Sequence, residues 1–229
     1  IRSANAGAAG ASGMLVFSSG TAVTGNSGNI LVGTGAATDG RGGLVSISSG
    51  SGTSGVGGLV SILSGRSTVH TGGALSIESG EGTATTSGII TIRSTNSGAS
   101  GVSGMLVFSS GTAVQGNSGS ILIGTGAATD GRGGLVAISA GSGTSGVGGL
   151  VSMWAGKSTT LAGGLVSIAG GVSTLSTGGG VSVASGEGTG TSSGVVTIRS
   201  ANSGASGVSG SLVFSSGTSL KGNSGAIMI

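Results

Sequence analysis

The chain lacks the residues on which cross-linked proteins and most catalytic sites depend. Its 229 residues include no Cys, no Pro and no Tyr, and only one His and one Trp. Without Cys there are no disulfides and no thiolate metal sites, and without Pro every residue keeps the backbone N–H that a sheet requires. Charged residues make up 6% of the chain, against roughly 25% in an ordinary soluble domain, so copies of the chain repel one another weakly.

These shortages exclude several classes of protein. The eight basic and five acidic residues stand singly along the chain, with no aromatic cluster beside them, so we expect no nucleic-acid partner. No apolar run reaches the roughly 18 residues of a membrane-spanning helix. The 56 Gly residues do not recur at every third position, which excludes collagen. The mean hydropathy of +0.48 is too high for a chain that is disordered because it has little to bury.

What the chain does have is a short period. Units begin after a Gly at residues 14, 29, 44, 59, 74, 89, 105, 120, 135, 150, 165, 180, 195, 211 and 226. Complete units have 15 residues, except those beginning at Ile89 and Val195, which have 16. A second, longer repeat is also present, because MLVFSSGTAV at Met14 returns at Met105. It divides the chain into long repeats of approximately 1–91, 92–197 and 198–229, and such a hierarchy predicts a repeat architecture.

Apolar and polar residues alternate within a unit. We number positions from the first residue, with Leu44–Gly58, LVSISSGSGTSGVGG, as the reference. Positions 2 and 4 are apolar in nearly every unit, which predicts a strand, and the small residue at position 9 suggests a second one. Gly at position 7 and at the end of the unit would supply the positive φ of the corners. The sequence therefore predicts an all-β fold, a β-solenoid (flattened β-helix) with one 15-residue coil per repeat, continuous over 1–229.

Three sets of side chains have expected roles in such a fold. The core columns, at positions 2 and 4, include Leu15, Phe17, Val45, Ile47, Phe108 and Phe214. The inter-rod packing residues, which would point outward, are Met14, Leu44, Leu59, Met105, Leu135, Leu150 and Leu165 at position 1, and Trp154 at position 5. Stacked coils superpose equal positions, so the expected inter-coil ion pairs are Arg66 with Glu81 and Glu78 with Arg93. A strand that is apolar on both faces is normally covered on both, so we expect rods to pack side by side.

No group of residues indicates an enzyme. His70 falls in an expected turn, where a surface residue is a better interpretation than a general base. Asp39 and Arg41 recur as Asp130 and Arg132 in TGAATDGRGG, a spacing more typical of a local ion pair than of a site. The carboxylates are too few for calcium, and GTGAATDG lacks the Lys-Ser/Thr ending of a phosphate-binding loop. We expect no cofactor and no metal, while the many Ser and Thr residues leave O-glycans open.

A column of Thr residues suggests an alternative function. Regular exposed Thr ranks on a β-solenoid resemble ice-binding faces, but a second Thr two residues away is missing in most units. A structural Thr ladder is therefore the preferred interpretation. The column, at position 10, consists of Thr38, Thr53, Thr68, Thr83, Thr129, Thr144, Thr159, Thr174 and Thr189.

In the style of its repeats, LVSISSGSGTSGVGG and TAVTGNSG, the chain resembles Gly/Ser/Thr-rich β-solenoid proteins of extracellular fibres and cell-surface appendages, a style abundant in algae and other stramenopiles. The heads of trimeric autotransporter adhesins look similar in repeat length. The resemblance implies a non-enzymatic structural protein, extracellular or at the cell surface, whose partner is itself. We expect it to form the shaft of a filament, with coils stacked along the axis and rods joined through the apolar outer stripe. An ice-binding β-solenoid and a surface adhesin stalk are the alternatives.

Overall fold

The computed structural model describes residues 1–7 and 10–229. Over these residues it contains no helix and no strand, so the predicted all-β fold, the β-solenoid, is wrong. A solenoid requires each coil to be hydrogen-bonded to the next, whereas each backbone hydrogen bond among the described residues joins two residues of the same unit. The chain divides into two bodies, Ile1–Phe108 and Ser109–Ile229, and the same local geometry recurs in each.

The regular feature in both bodies is a bend that follows the period of the sequence. In the complete 15-residue units it lies at positions 10 to 12. The bends are at 23–25, 38–40, 53–55, 68–70, 83–85, 114–116, 129–131, 144–146, 159–161, 174–176, 189–191 and 220–222. In the two 16-residue units the bend lies one position later, at 99–101 and 205–207. The extra residue of these units is therefore inserted ahead of the bend.

After the bend, the end of the unit returns to its middle. In seven units the N–H of the last Gly donates to the C=O of the Gly at position 7, at 2.8–3.0 Å. The seven bonds are Gly58 to Gly50, Gly73 to Gly65, Gly88 to Gly80, Gly149 to Gly141, Gly164 to Gly156, Gly179 to Gly171 and Gly194 to Gly186. Each such unit is a loop with two arms, the segments before and after the bend. One backbone hydrogen bond joins the arms, which is too little pairing to make a strand.

The two arms come together at the side chain of position 6. A Cβ added to Gly43 would lie 2.7 Å from Thr34 Cβ, and one added to Gly58 would lie 3.0 Å from Ser49 Cβ. The hydroxyl groups of these two residues donate to the same glycines, with Thr34 Oγ1 at 3.1 Å from Gly43 O and Ser49 Oγ at 2.8 Å from Gly58 O. In these two units the last residue is thus glycine because the side chain at position 6 already occupies the space of its Cβ. At Gly28, Gly119 and Gly225 the corresponding distance is an ordinary 3.5–3.7 Å.

Positive φ is needed at fewer glycines than the sequence suggested. Among the described residues it occurs at position 12 in Gly25, Gly116 and Gly222, at position 7 in Gly217 alone (φ +79°), and at Gly10 in the opening stretch. The predicted corner geometry at position 7 is therefore observed in one unit of the described chain. In the other units Gly at position 7 accepts the closing bond or faces open space.

No side chain of the described part of the chain is buried. The accessible surface is 22331 Å² for a mass of 20.7 kDa, whereas a folded globular chain of that mass exposes about 9000 Å². The units thus bend locally without forming a hydrophobic core, and their apolar side chains stay in contact with solvent.

Candidate functional site

The exposed apolar side chains form the candidate site. We call the residues at positions 1, 2 and 4 of the units the apolar columns. The eight inter-rod packing residues predicted from the sequence are all strongly exposed, between 85 and 89%. They are Met14, Leu44, Leu59, Met105, Leu135, Leu150, Leu165 and Trp154. The Trp154 indole Nε1 donates to Ser152 Oγ, two residues earlier in the same arm. Its ring is otherwise uncovered.

The predicted core columns are less exposed than position 1, but they do not form a core. Leu15 and Val45, at position 2, are each 48% exposed. Phe17, Phe108, Phe214 and Ile47, at position 4, are between 59 and 76% exposed. The exposed fractions follow the ranking expected from the alternation, since positions 2 and 4 are less exposed than position 1. These residues were expected to fill the interior of the coil, and in the described chain none of them is buried.

The predicted ion pairs are not brought together within the chain. Arg66, Glu81, Glu78 and Arg93 are all exposed. The Glu78 carboxylate accepts a hydrogen bond from Ser76 Oγ at 2.8 Å. None of the side-chain hydrogen bonds found in residues 1–7 and 10–229 joins Arg66 to Glu81 or Glu78 to Arg93. The reason is the missing ladder, because without bonded coils equal positions are not superposed.

Serine residues at position 9 stabilise some of the bends. The backbone N–H of His70 donates to Ser67 Oγ at 2.9 Å. The same bond, also at 2.9 Å, joins Leu161 N to Ser158 Oγ and Ser176 N to Ser173 Oγ. His70 thus lies at the end of a bend, where its imidazole is exposed, as expected for a surface residue.

The other candidate residues form no chemical site in the part of the chain that the structure describes. No cavity is found there, and no three His, Cys, Asp or Glu residues are grouped to hold a metal ion. Asp39 and Asp130 occupy the middle of exposed bends, with Arg41 and Arg132 just beyond them. All nine Thr residues of the column are exposed at the first residue of a bend. Among the described residues no helix is long and apolar enough to cross a membrane.

Sequence reasoning missed the contact between position 6 and the last Gly. A signal for it is present, because position 6 is Ser, Thr, Ala or Gly in every complete unit, as in Ser19, Thr125, Ala140 and Gly170. A uniformly small residue opposite a uniform Gly indicates close approach of two arms. The contact recurs at Gly134, whose added Cβ would lie 2.8 Å from Thr125 Cβ.

No protein-family model, curated protein or solved structure matches the chain. Its function is therefore argued from its own residues, and above all from the apolar columns.

Proposed function

We propose that the chain is a non-enzymatic structural protein that assembles with copies of itself into an extracellular or cell-surface filament. The observation that supports this function is the exposure of the apolar columns, whose positions 2 and 4 are apolar in every unit and none of whose side chains is buried in the described chain. Soluble monomers rarely expose contiguous apolar patches larger than a few hundred Å². A second copy, with the same columns at the same spacing, is the surface that matches them best.

The energetics favour association over many units at once. Burying one Leu, Ile, Phe or Met side chain fully contributes about 1.5–3 kcal/mol. Most of this contribution is unrealised in the single chain, because the position-1 residues Leu44, Leu59 and Leu150 are 85–86% exposed. Fixing the backbone of each residue costs about 1–2 kcal/mol. Burial of the apolar side chains of one unit therefore cannot offset the conformational entropy that its backbone loses. A contact repeated every 15 residues can add the contributions of all units, and assembly is therefore cooperative.

The same periodicity favours an open filament over a closed dimer. Two copies shifted by a whole number of units still superpose their apolar columns, and each then leaves unmatched columns at one end. Those ends accept further copies by the same contact, which is the condition for open growth. The low proportion of charged residues, 6%, opposes this association only weakly.

The test is a variant that removes apolar side chains of position 1. In this variant Leu44, Leu59, Leu135 and Leu150, which are 85–86% exposed, are all replaced by Ser. We expect it to stay dispersed at concentrations where the unmodified chain sediments as filaments. Sedimentation velocity measures the dispersed fraction, and electron microscopy of the same samples shows whether filaments are present.

The matched control replaces four apolar residues outside the apolar columns. Val23, Val56, Val114 and Val147 lie at the bends or one position beyond, and are 97–100% exposed. Their replacement by Ser removes a similar number of apolar groups from the chain, and we expect filaments to remain. If the Leu variant also forms unchanged filaments, or the control variant disperses equally, assembly through the apolar columns is refuted.

A further inference from the structure

We propose that neighbouring copies in the filament lie parallel and shifted by one unit. In this register Arg66 of one copy pairs with Glu81 of the next, and Glu78 pairs with Arg93. The inference rests on the proposed function, because it takes the apolar columns as the contact between copies. It adds the register, which the apolar columns alone leave undetermined.

The apolar columns select parallel copies but no particular shift. Any shift by whole units superposes positions 1, 2 and 4 on themselves. In an antiparallel arrangement that superposes positions 1 and 4, position 2 faces position 3, which is often Ser, as in Ser46 and Ser61. The additional residue of the 16-residue units lies ahead of the bends at 99–101 and 205–207, so positions 1 to 6 keep their alignment.

Charge distinguishes the possible shifts. With no shift, each of the eight basic and five acidic residues faces its own counterpart, and every pair is a like-charge pair. With a shift of one unit, Arg66 and Glu81 meet at position 8, and Glu78 and Arg93 meet at position 5. No like charges face each other at equal positions in that register. Opposite charges on adjacent chains attract and like charges destabilise the contact.

Shifts by the long repeat, which superpose the most similar sequences, are electrostatically unfavourable. A shift of 91 residues places Arg66 against Lys157 and Asp39 against Asp130. A shift of 106 residues places Glu81 against Glu187. The charges therefore oppose the two shifts that identity of sequence would otherwise favour.

Four longer shifts also superpose only opposite charges. A shift of two units pairs Lys157 with Glu187, and one of five units pairs Glu81 with Lys157. One of eight units pairs Arg66 with Glu187, and one of twelve units pairs Asp39 with Lys221. These shifts leave twelve, nine, six and two of the fourteen complete units overlapped, whereas a shift of one unit leaves thirteen and forms two opposite-charge pairs. The contribution of the apolar columns grows with overlap, so the one-unit shift combines the most apolar contact with favourable charge.

The single chain leaves these charges available to another copy. Arg66, Glu81, Glu78 and Arg93 are all exposed. In the described residues the backbone bonds stay inside units, so nothing superposes position 8 of one unit on position 8 of the next within the chain. These four charged side chains can therefore pair with those of another copy.

The experiment mixes two charge-reversal variants of the full chain, Arg66→Glu and Glu81→Arg. Alone, each variant places like charges at the contact, because two carboxylates meet in the first variant and two guanidinium groups meet in the second. We expect the critical concentration for filament assembly at low salt to rise about three- to tenfold for each. In an equimolar mixture opposite charges meet again between unlike copies, and we expect the critical concentration to return to that of the unmodified chain.

The control is Lys157→Glu, a reversal at the same position 8 whose neighbours under a one-unit shift are Ser142 and Val172. We expect it to leave the critical concentration unchanged. In about 1 M salt, where the Debye length is about 3 Å, the differences among all variants should disappear.

The outcomes separate the register from the proposed function. If the unmodified chain forms no filaments, both the function and the register are refuted. If filaments form but the variants assemble like the unmodified chain, the register alone is refuted. If each variant is impaired and mixing restores nothing, the pairs form within one chain, and the pairing between copies is refuted.

Discussion

At the residue scale, the last Gly of a unit shows how the identity of one residue depends on its neighbour. The space of a Cβ on Gly43 is taken by Thr34, and the Thr34 hydroxyl group donates to the Gly43 carbonyl group across that contact. The sequence correctly indicated that this position must be Gly. It did not indicate the reason, because an obligatory Gly is equally consistent with a positive φ and with close approach.

A single methyl group should therefore open the unit at this point. In Gly43→Ala the new Cβ would lie 2.7 Å from Thr34 Cβ, a distance that real side chains do not adopt, so the two arms must separate. We expect the nuclear Overhauser effect between the Thr34 methyl protons and the α-proton of residue 43 to be lost. Gly42→Ala is the control, since an added Cβ there has nothing within 4 Å. Retention of the signal in Gly43→Ala would contradict the close approach.

At the scale of the element, the unit is a bent loop and the expected pair of strands does not form. Position 9 was interpreted as part of a second strand because it is always small. The structure gives another cause, since a Cβ on Gly52 would lie 2.5 Å from the Gly55 carbonyl oxygen. The backbone of the bend therefore folds over position 9. At this position the hydroxyl oxygens of Ser67, Ser158 and Ser173 each accept an N–H from the bend.

Removing such a hydroxyl group should loosen one bend without affecting the others. In Ser67→Ala the His70 N–H loses its acceptor at 2.9 Å, and a net hydrogen bond contributes about 0.5–1.5 kcal/mol. We expect the His70 amide to exchange about two- to tenfold faster, as measured by hydrogen exchange with NMR detection. The Leu161 amide, bonded to Ser158 in the equivalent bend, is the internal control. If the His70 amide exchanges at the same rate in Ser67→Ala and in the unmodified chain, the hydrogen bond does not stabilise the bend.

At the scale of the whole molecule, apolar side chains recur at fixed positions of the units, but the described residues form no hydrophobic core. Its described residues bury no side chain, although 36% of the sequence is hydrophobic. This combination distinguishes it from a chain that is disordered for lack of apolar residues. The positions of the apolar residues follow from the sequence, whereas the coverage expected for positions 2 and 4 is not reached in the described chain.

The dispersed chain should accordingly give no sheet signal. Because no strand occurs in the described residues, we expect the amide I infrared spectrum of the dispersed Leu44, Leu59, Leu135 and Leu150 to Ser variant to lack a β-sheet band. The Val23, Val56, Val114 and Val147 to Ser variant, diluted until it disperses, is the control for the substitutions themselves. A strong sheet band in either dispersed sample would show that strands form within one chain, contrary to the structure.

The amino-acid sequence alone is sufficient to establish the period, the positions of the apolar residues and the obligatory Gly at the end of each unit. These properties follow from the order of residue types, because they depend on neighbours within about 15 residues. The sequence placed the corners at position 7 and at the end of the unit, whereas the structure bends at positions 10 to 12. Only the three-dimensional structure decided that the alternating segments form no strands. Alternation shows that a segment can present one apolar face, but a strand also needs a partner for its backbone N–H and C=O groups. Seven of the units instead close on themselves through Gly58 and Gly50 or their equivalents, and the apolar side chains of the described chain stay exposed.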